Sequence, residues 1–250
     1  MAALEPRGIA GRGKFKILCL HGIGTNAEIF EAQTDRDVRP TASLRYHLGS
    51  PTAYDFDFVD GAHPWPPYPG ILDIFGPQQI CLSYFDGSAS SSLAALDDLA
   101  THLIENGPFD AVMGFSMGGA MAATLLLQPQ NPLLDKPEWV RARAMVHSAV
   151  FLCATLPVDV MELRRGEMAW IKLQDVGPCG KLRPISIPTV HAWSPGDVDN
   201  PGESKALVSM CDASERVEIL HSAGHGVPSN RSEITAISSA IRKMLHSMRN

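Results

Sequence analysis

A serine hydroxyl becomes a useful nucleophile only when a base takes its proton and a carboxylate holds that base in place. The chain offers candidates for all three, in separate loops. In "DAVMGFSMGGAMAATLLL", residues 110–127, Ser116 stands between Gly114 and Gly118 in a G-x-S-x-G spacing. That spacing makes a sharp strand-to-helix turn, in which a Cβ at either glycine would meet neighbouring backbone and the hydroxyl is thrust out at the sheet's carboxyl edge. The apolar "DAVMGF" reads as the strand and "GGAMAATLLL" as the helix that this turn requires. "PTVHAWSPGDVD" then places Asp197 in a Pro/Gly turn past an apolar strand, and "VEILHSAGHGVP" places His225 in the loop after the next.

Each position has a rival. Asp199 lies two residues from Asp197, which is preferred because the "PGD" turn keeps it closer to the strand end. His221 adjoins a strand end and would point to one face, whereas His225 sits between two glycines that free the backbone to swing it over the serine. Negative charge developing in acyl transfer needs two amide donors, one after the nucleophile and one from a loop after an early strand. Met117 is the first, and Ile23 in "LCLHGIGTN" the second. His21 in the same loop is expected to be structural.

The elements that must position these residues alternate short apolar runs with helical patterns, the signature of an α/β fold with a mostly parallel sheet flanked by helices. Strands are expected over 15–20, 54–59, 110–115, 141–150, 188–193 and 216–220. "SSSLAALDDLATHLIENG" repeats apolar residues at helical spacing, opens with capping serines and stops at Gly107. A second helix is expected near the C-terminus, capped by Ser232, with Arg242 and Lys243 toward its C-terminal half. Residues 60–77 hold five prolines and are expected to be an ordered loop carrying Trp65, Tyr68 and Phe75 as candidate substrate contacts. Residues 151–187 contain one helix-like piece, "VMELRRGEMAWIKL", before a Pro/Gly-rich return. Together with 61–79 they are the candidate pocket rim or cap of a single domain.

At 250 residues with a formal net charge of -6 and scattered basic residues, the chain has no electrostatic grip for nucleic acid or an anionic membrane. The first 22 residues have no continuous apolar stretch and no later segment reaches membrane-spanning length, so the expectation is a soluble, cytoplasmic protein. Five cysteines without a CxxC pair are expected to be free thiols, most of them buried. Nine histidines without HxH or HExxH spacing leave no metal site to expect, and no cofactor is called for. Arg164, Arg165 and Lys172 fit a solvated face better than a surface for an acidic carrier protein. Oligomeric state is not legible.

The segments "KILCLHGIGTNAEIFEAQT", "GPFDAVMGFSMGGAMAATLLL", the "GD" turn at Asp197 and "AGHGVP" together resemble the fungal serine hydrolase family, a branch of the α/β-hydrolase fold. The likeness spans nearly the whole chain and implies that Ser116, Asp197 and His225 match that family's triad, in its Ser, Asp, His chain order. Met117 stands where commoner members have Gln, and Ala223-Gly224 where many have two glycines. The proline- and aromatic-rich region around Trp65 resembles members that accompany fungal polyketide pathways, which implies an acyl thioester or ester substrate, free or presented by an acyl carrier protein. A stand-alone carboxylesterase, an acyltransferase and a non-catalytic binding protein are the competing readings.

Overall fold

The computed structural model describes residues 13–35 and 43–249, so the N-terminal stretch read for a leader lies partly, at 1–12, outside the described residues. The chain opens with β1 (Phe15–Leu20), α1 (Ala27–Thr34), α2 (Leu44–Leu48), β2 (Tyr54–Val59), β3 (His63–Pro64), α3 (Ile71–Phe75) and β4 (Leu82–Ser83). Then come α4 (Ala89–Asn106), β5 (Ala111–Phe115), α5 (Met117–Leu126), β6 (Gln128–Pro129), α6 (Pro137–Arg143) and β7 (Ala149–Leu152). The last are α7 (Val160–Leu163), β8 (Leu182–Arg183), β9 (Thr189–Trp193), α8 (Glu203–Ser209), β10 (Arg216–Leu220) and α9 (Arg231–Ser247).

Six of the strands form one sheet in the order β10-β9-β7-β5-β1-β2, with every neighbouring pair parallel. Strand β5 is buried throughout, as expected where helices cover both faces of a parallel sheet. Alternate residues of β1 serve the two faces. Leu18 and Leu20 join Leu96, Leu103, Met121 and Leu125 of α4 and α5 in one core, while Ile17 and Cys19 join Leu44, Ile237, Ile241 and Leu245 of α2 and α9 in the other. From β1 the chain steps out to β2, returns across β1 to β5, and then moves outward through β7, β9 and β10. The strand order therefore reverses between β1 and β5. Loops leaving those two strands diverge and open a crevice at their carboxyl ends.

Several elements differ from the sequence-based expectation. The strand expected over 141–150 is shorter and later, because Pro137 fixes the backbone for a helix start and the burial of Trp139 and Ala142 holds residues up to Arg143 in α6. Helix α4 begins one residue before the serine run and takes Ser88 as its cap, whose hydroxyl accepts from the Ser91 amide at 3.2 Å. At α9 the cap is Asn230 rather than Ser232, whose amide donates to the Asn230 side chain at 2.9 Å. The 60–77 loop is not wholly irregular, since α3 forms between Pro69 and Pro77 and β3 pairs with β4. Of "VMELRRGEMAWIKL" only the first four residues are helical, because Gly166 turns the chain at φ 88 with its amide donating to Leu163 O at 3.0 Å. Four of the five free cysteines are buried and Cys179 is exposed.

His191 of β9 is enclosed beside Phe151, and burial with a contribution from Arg216 lowers its value from 6.5 to about 3. The folded ring stays neutral while the unfolded chain binds a proton as pH falls below about 6.5, so stability is lost from there down toward pH 3. Thermal melts between pH 7 and 4 should show a shallower acid loss in His191→Leu than in the wild type; equal slopes would remove this assignment.

Candidate active site

The β5–α5 turn is built by what its glycines exclude. A Cβ on Gly114 would lie 2.4 Å from the Gly119 nitrogen, and one on Gly118 only 2.2 Å from Leu20 O. Ser116 between them has φ 53 and ψ -120, a left-handed backbone rare for a residue with a side chain. The turn thus holds strain at the one residue whose hydroxyl it presents. Gly118→Ala should lower Tm by roughly 5 °C, the effect of a 1–3 kcal/mol overpacking in a chain of this size. Gly13→Ala, with no atom within 4 Å of the added Cβ, should leave Tm unchanged. Differential scanning fluorimetry would check both.

Three loops converge on that hydroxyl. His225 Nε2 lies 2.8 Å from Ser116 Oγ, and His225 Nδ1 lies 2.7 Å from Asp197 Oδ2. The other Asp197 oxygen accepts from the amides of Asp199 and Asn200, each at 3.0 Å. Burial opposes ionisation of Asp197, but the His225 hydrogen bond and these amides outweigh it and hold the carboxyl below its ordinary value. A charged Asp197 fixes the hydrogen on Nδ1 and leaves Nε2 free to accept from the serine.

The two rivals lie elsewhere. Asp199 accepts a hydrogen bond from the Tyr68 hydroxyl, whose ring centroid is 6.0 Å from that of His225. His221 is buried beneath the loop, with Nε2 3.4 Å from Cys153 Sγ. Gly224, at φ 61, supplies the bend that carries His225 past it.

Met117 begins α5, so its amide has no intrahelical acceptor and faces the same side as the helix N-terminus. A Cβ on Gly22 would stand 3.3 Å from Ser116 Cβ, so the β1 loop that carries Ile23 packs against the nucleophile's turn. His21 holds this loop from below. Its Nδ1 donates to Gly22 O at 2.7 Å, while Nε2 accepts from the Gly61 amide at 2.9 Å, tying the β1 loop to the segment after β2. Burial lowers its value, so the ring stays neutral in this role.

A cleft of about 380 Å3 opens beside His225, lined by Tyr68, Ile71, Ile74 and Phe75 on one side and by Val227 and Pro228 on the other. Of the candidate substrate contacts, Tyr68 and Phe75 therefore reach it. Trp65 does not, because its amide donates to Cys81 O and ties that stretch down along β4. Arg164 and Arg165 are exposed, with Arg165 paired to Glu162 and Arg164 bonded to Leu134 O, and Lys172 is exposed as well. Sequence reading missed the Tyr68–Asp199 contact, the Asn200 amide and Cys153, none of which has a spacing signature. Among the described residues, no group of three or more His, Cys, Asp or Glu side chains could hold a metal ion, and no helix is long and apolar enough to cross a membrane.

The fold agrees with that of known proteins. The chain is 36% identical to "Esterase FPY3" of Fusarium mangiferae over 214 residues, covering 85% of this chain and 88% of that protein. It is 27% identical to "Hydrolase phiM" of a fungal species, covering 92% and 94%. Among solved structures, acyl-protein thioesterase 2 of Zea mays shares the fold, with a TM-score of 0.54, 16% identity and 97% of each chain covered. The family described as serine hydrolase (FSH1) matches residues 12–237, which span every strand of the sheet, the Ser116 turn and the loops of Asp197 and His225. The protein belongs to that serine hydrolase family and has its α/β-hydrolase fold.

Proposed function

We propose that the protein hydrolyses an ester or thioester with a sizeable apolar acyl group, using Ser116 as nucleophile, His225 as base and Asp197 as its orienting acid. The observation that carries this reading is the unbroken hydrogen-bond chain from Asp197 through His225 to Ser116, with His225 on the wall of a cleft to which α3 contributes Ile71, Ile74 and Phe75. Ser116 Oγ attacks the carbonyl carbon as its proton passes to His225 Nε2. The amides of Met117 and Ile23 receive the carbonyl oxygen as it becomes negative. Collapse expels the alcohol or thiol, which takes the proton from His225, and leaves an acyl-serine. Water then attacks with its proton going to Nε2, and the carboxylic acid departs as Ser116 Oγ is reprotonated.

A polyketide-type acyl group, presented free or on a carrier protein, is the substrate class we favour. Likeness to fungal esterases and the apolar side chains of α3 at the cleft support it. The test is hydrolysis of an acyl series from acetyl to dodecanoyl, as free esters and as pantetheine thioesters. Longer chains should raise kcat/KM, and Phe75→Ala should shift the preferred length. A flat profile, or one unmoved by Phe75→Ala, would refute the apolar-acyl assignment while leaving the serine chemistry to be judged by its own variants.

A further inference from the structure

Beneath the His225 loop lies a buried thiol that no step of the proposed reaction uses. Cys153 follows β7 at φ 43, one of two positive-φ residues with a side chain among the described residues; the other is Ser116. Such a backbone is held only where its surroundings impose it. Here the Cys153 amide donates to Ala192 O of β9 at 2.8 Å, and two residues later the Thr155 amide donates to Ser116 O at 3.3 Å. The bend therefore links the sheet to the nucleophile's turn.

The thiol faces the other partner. The Ala223 amide donates to His221 Nδ1 at 3.2 Å, so in the neutral ring the hydrogen sits on Nε2 and is donated to Cys153 Sγ at 3.4 Å. Burial lowers the His221 value and pushes the Cys153 thiol up to about 12, so the ring stays neutral and the thiol keeps its hydrogen. That hydrogen can reach Gly224 O at 3.5 Å or Gly226 O at 3.6 Å, the carbonyls on either side of His225. A histidine between two glycines has little restraint of its own, and a catalytic group displaced by about 1 Å loses on the order of a hundredfold in rate.

We propose that Cys153 and His221 form one positioning unit that grips the backbone on both sides of His225 and aims its Nε2 at Ser116 Oγ. The inference rests on reading His225 as the base. It is tested by the rate of fluorophosphonate labelling and by ester hydrolysis in Cys153→Ala, Cys153→Ser, His221→Gln and the double variant Cys153→Ala/His221→Gln. Cys153→Ala should lower kcat and the labelling rate about tenfold with KM unchanged, a fraction of the full displacement cost. Cys153→Ser, whose hydroxyl can donate to the same carbonyls, should recover most of that loss. The double variant should be no slower than the slower single one, because the two side chains act together.

Labelling of folded Cys153→Ala at the wild-type rate, a serine variant as slow as the alanine one, or losses that multiply in the double variant would each overturn the proposal. Should Cys153→Ala fail to fold, His221→Gln decides by the same readout: slower labelling at unchanged KM supports the unit and a wild-type rate rejects it. A folded wild-type protein that takes no label would instead refute the reading of Ser116 and His225, and the positioning role with it.

Discussion

Ser116→Ala is expected to lower turnover on the order of a millionfold while leaving the protein folded, because the triad's members act as a unit and loss of the nucleophile removes covalent catalysis altogether. Folding should survive because the side chain is small and, among the described residues, its hydroxyl bonds only to His225. The φ of 53 is as strained for alanine as for serine, so the turn's cost is unchanged. Intact-mass detection of a fluorophosphonate adduct checks the assignment directly. One adduct on the wild type, absent in Ser116→Ala and in His225→Ala, is the expected outcome; an adduct of equal yield on Ser116→Ala would place the nucleophile elsewhere.

Asp197→Asn carries the second largest effect, a loss of about 10^4 in kcat. Asparagine keeps the size of the side chain and can still accept from the Asp199 and Asn200 amides, but it offers no charge to hold the hydrogen on His225 Nδ1. With the hydrogen moved to Nε2, the ring can no longer accept from Ser116. Asp199→Asn should retain most of its turnover, since its side chain meets Tyr68 rather than His225. Steady-state hydrolysis of one ester by both variants separates them. Equal losses would mean that the two carboxylates share the role, and a larger loss in Asp199→Asn would invert the assignment.

The contrast between these two predictions follows how each part of the site is encoded. Gly114, Ser116, Gly118 and the runs around them are contiguous, and the steric exclusions that bend the turn act between close neighbours in the chain, apart from the approach of Leu20 to Gly118. The strands β1, β2, β5, β9 and β10 were legible for a similar reason, since each is a short run rich in β-branched, aromatic or other apolar residues, interleaved with charged ones in β2 and β10. Where local signals competed, the reading failed. "RARAMVHSAV" mixes a helix end with a strand start, and only the burial of Trp139 against the α4 and α5 core divides them. Gly166 ends α7 within an otherwise helical pattern, because a glycine that can adopt positive φ lets the chain leave the helix for the β8 return.

The sequence by itself determined the nucleophile's turn, the alternation of strand and helix, and the order in which serine, acid and base arrive at the carboxyl edge. These rest on sterics and periodicity, which act over a few residues. The tertiary structure alone decided that His225 rather than His221 meets Ser116 across 109 residues, that Asp197 rather than Asp199 meets His225 across 28, and that Trp65 stays out of the cleft that Tyr68 and Phe75 line. Those choices depend on where separate loops land when the sheet order reverses between β1 and β5, and a hydrogen bond of less than 3 Å is made or missed by a displacement that no spacing along the chain records.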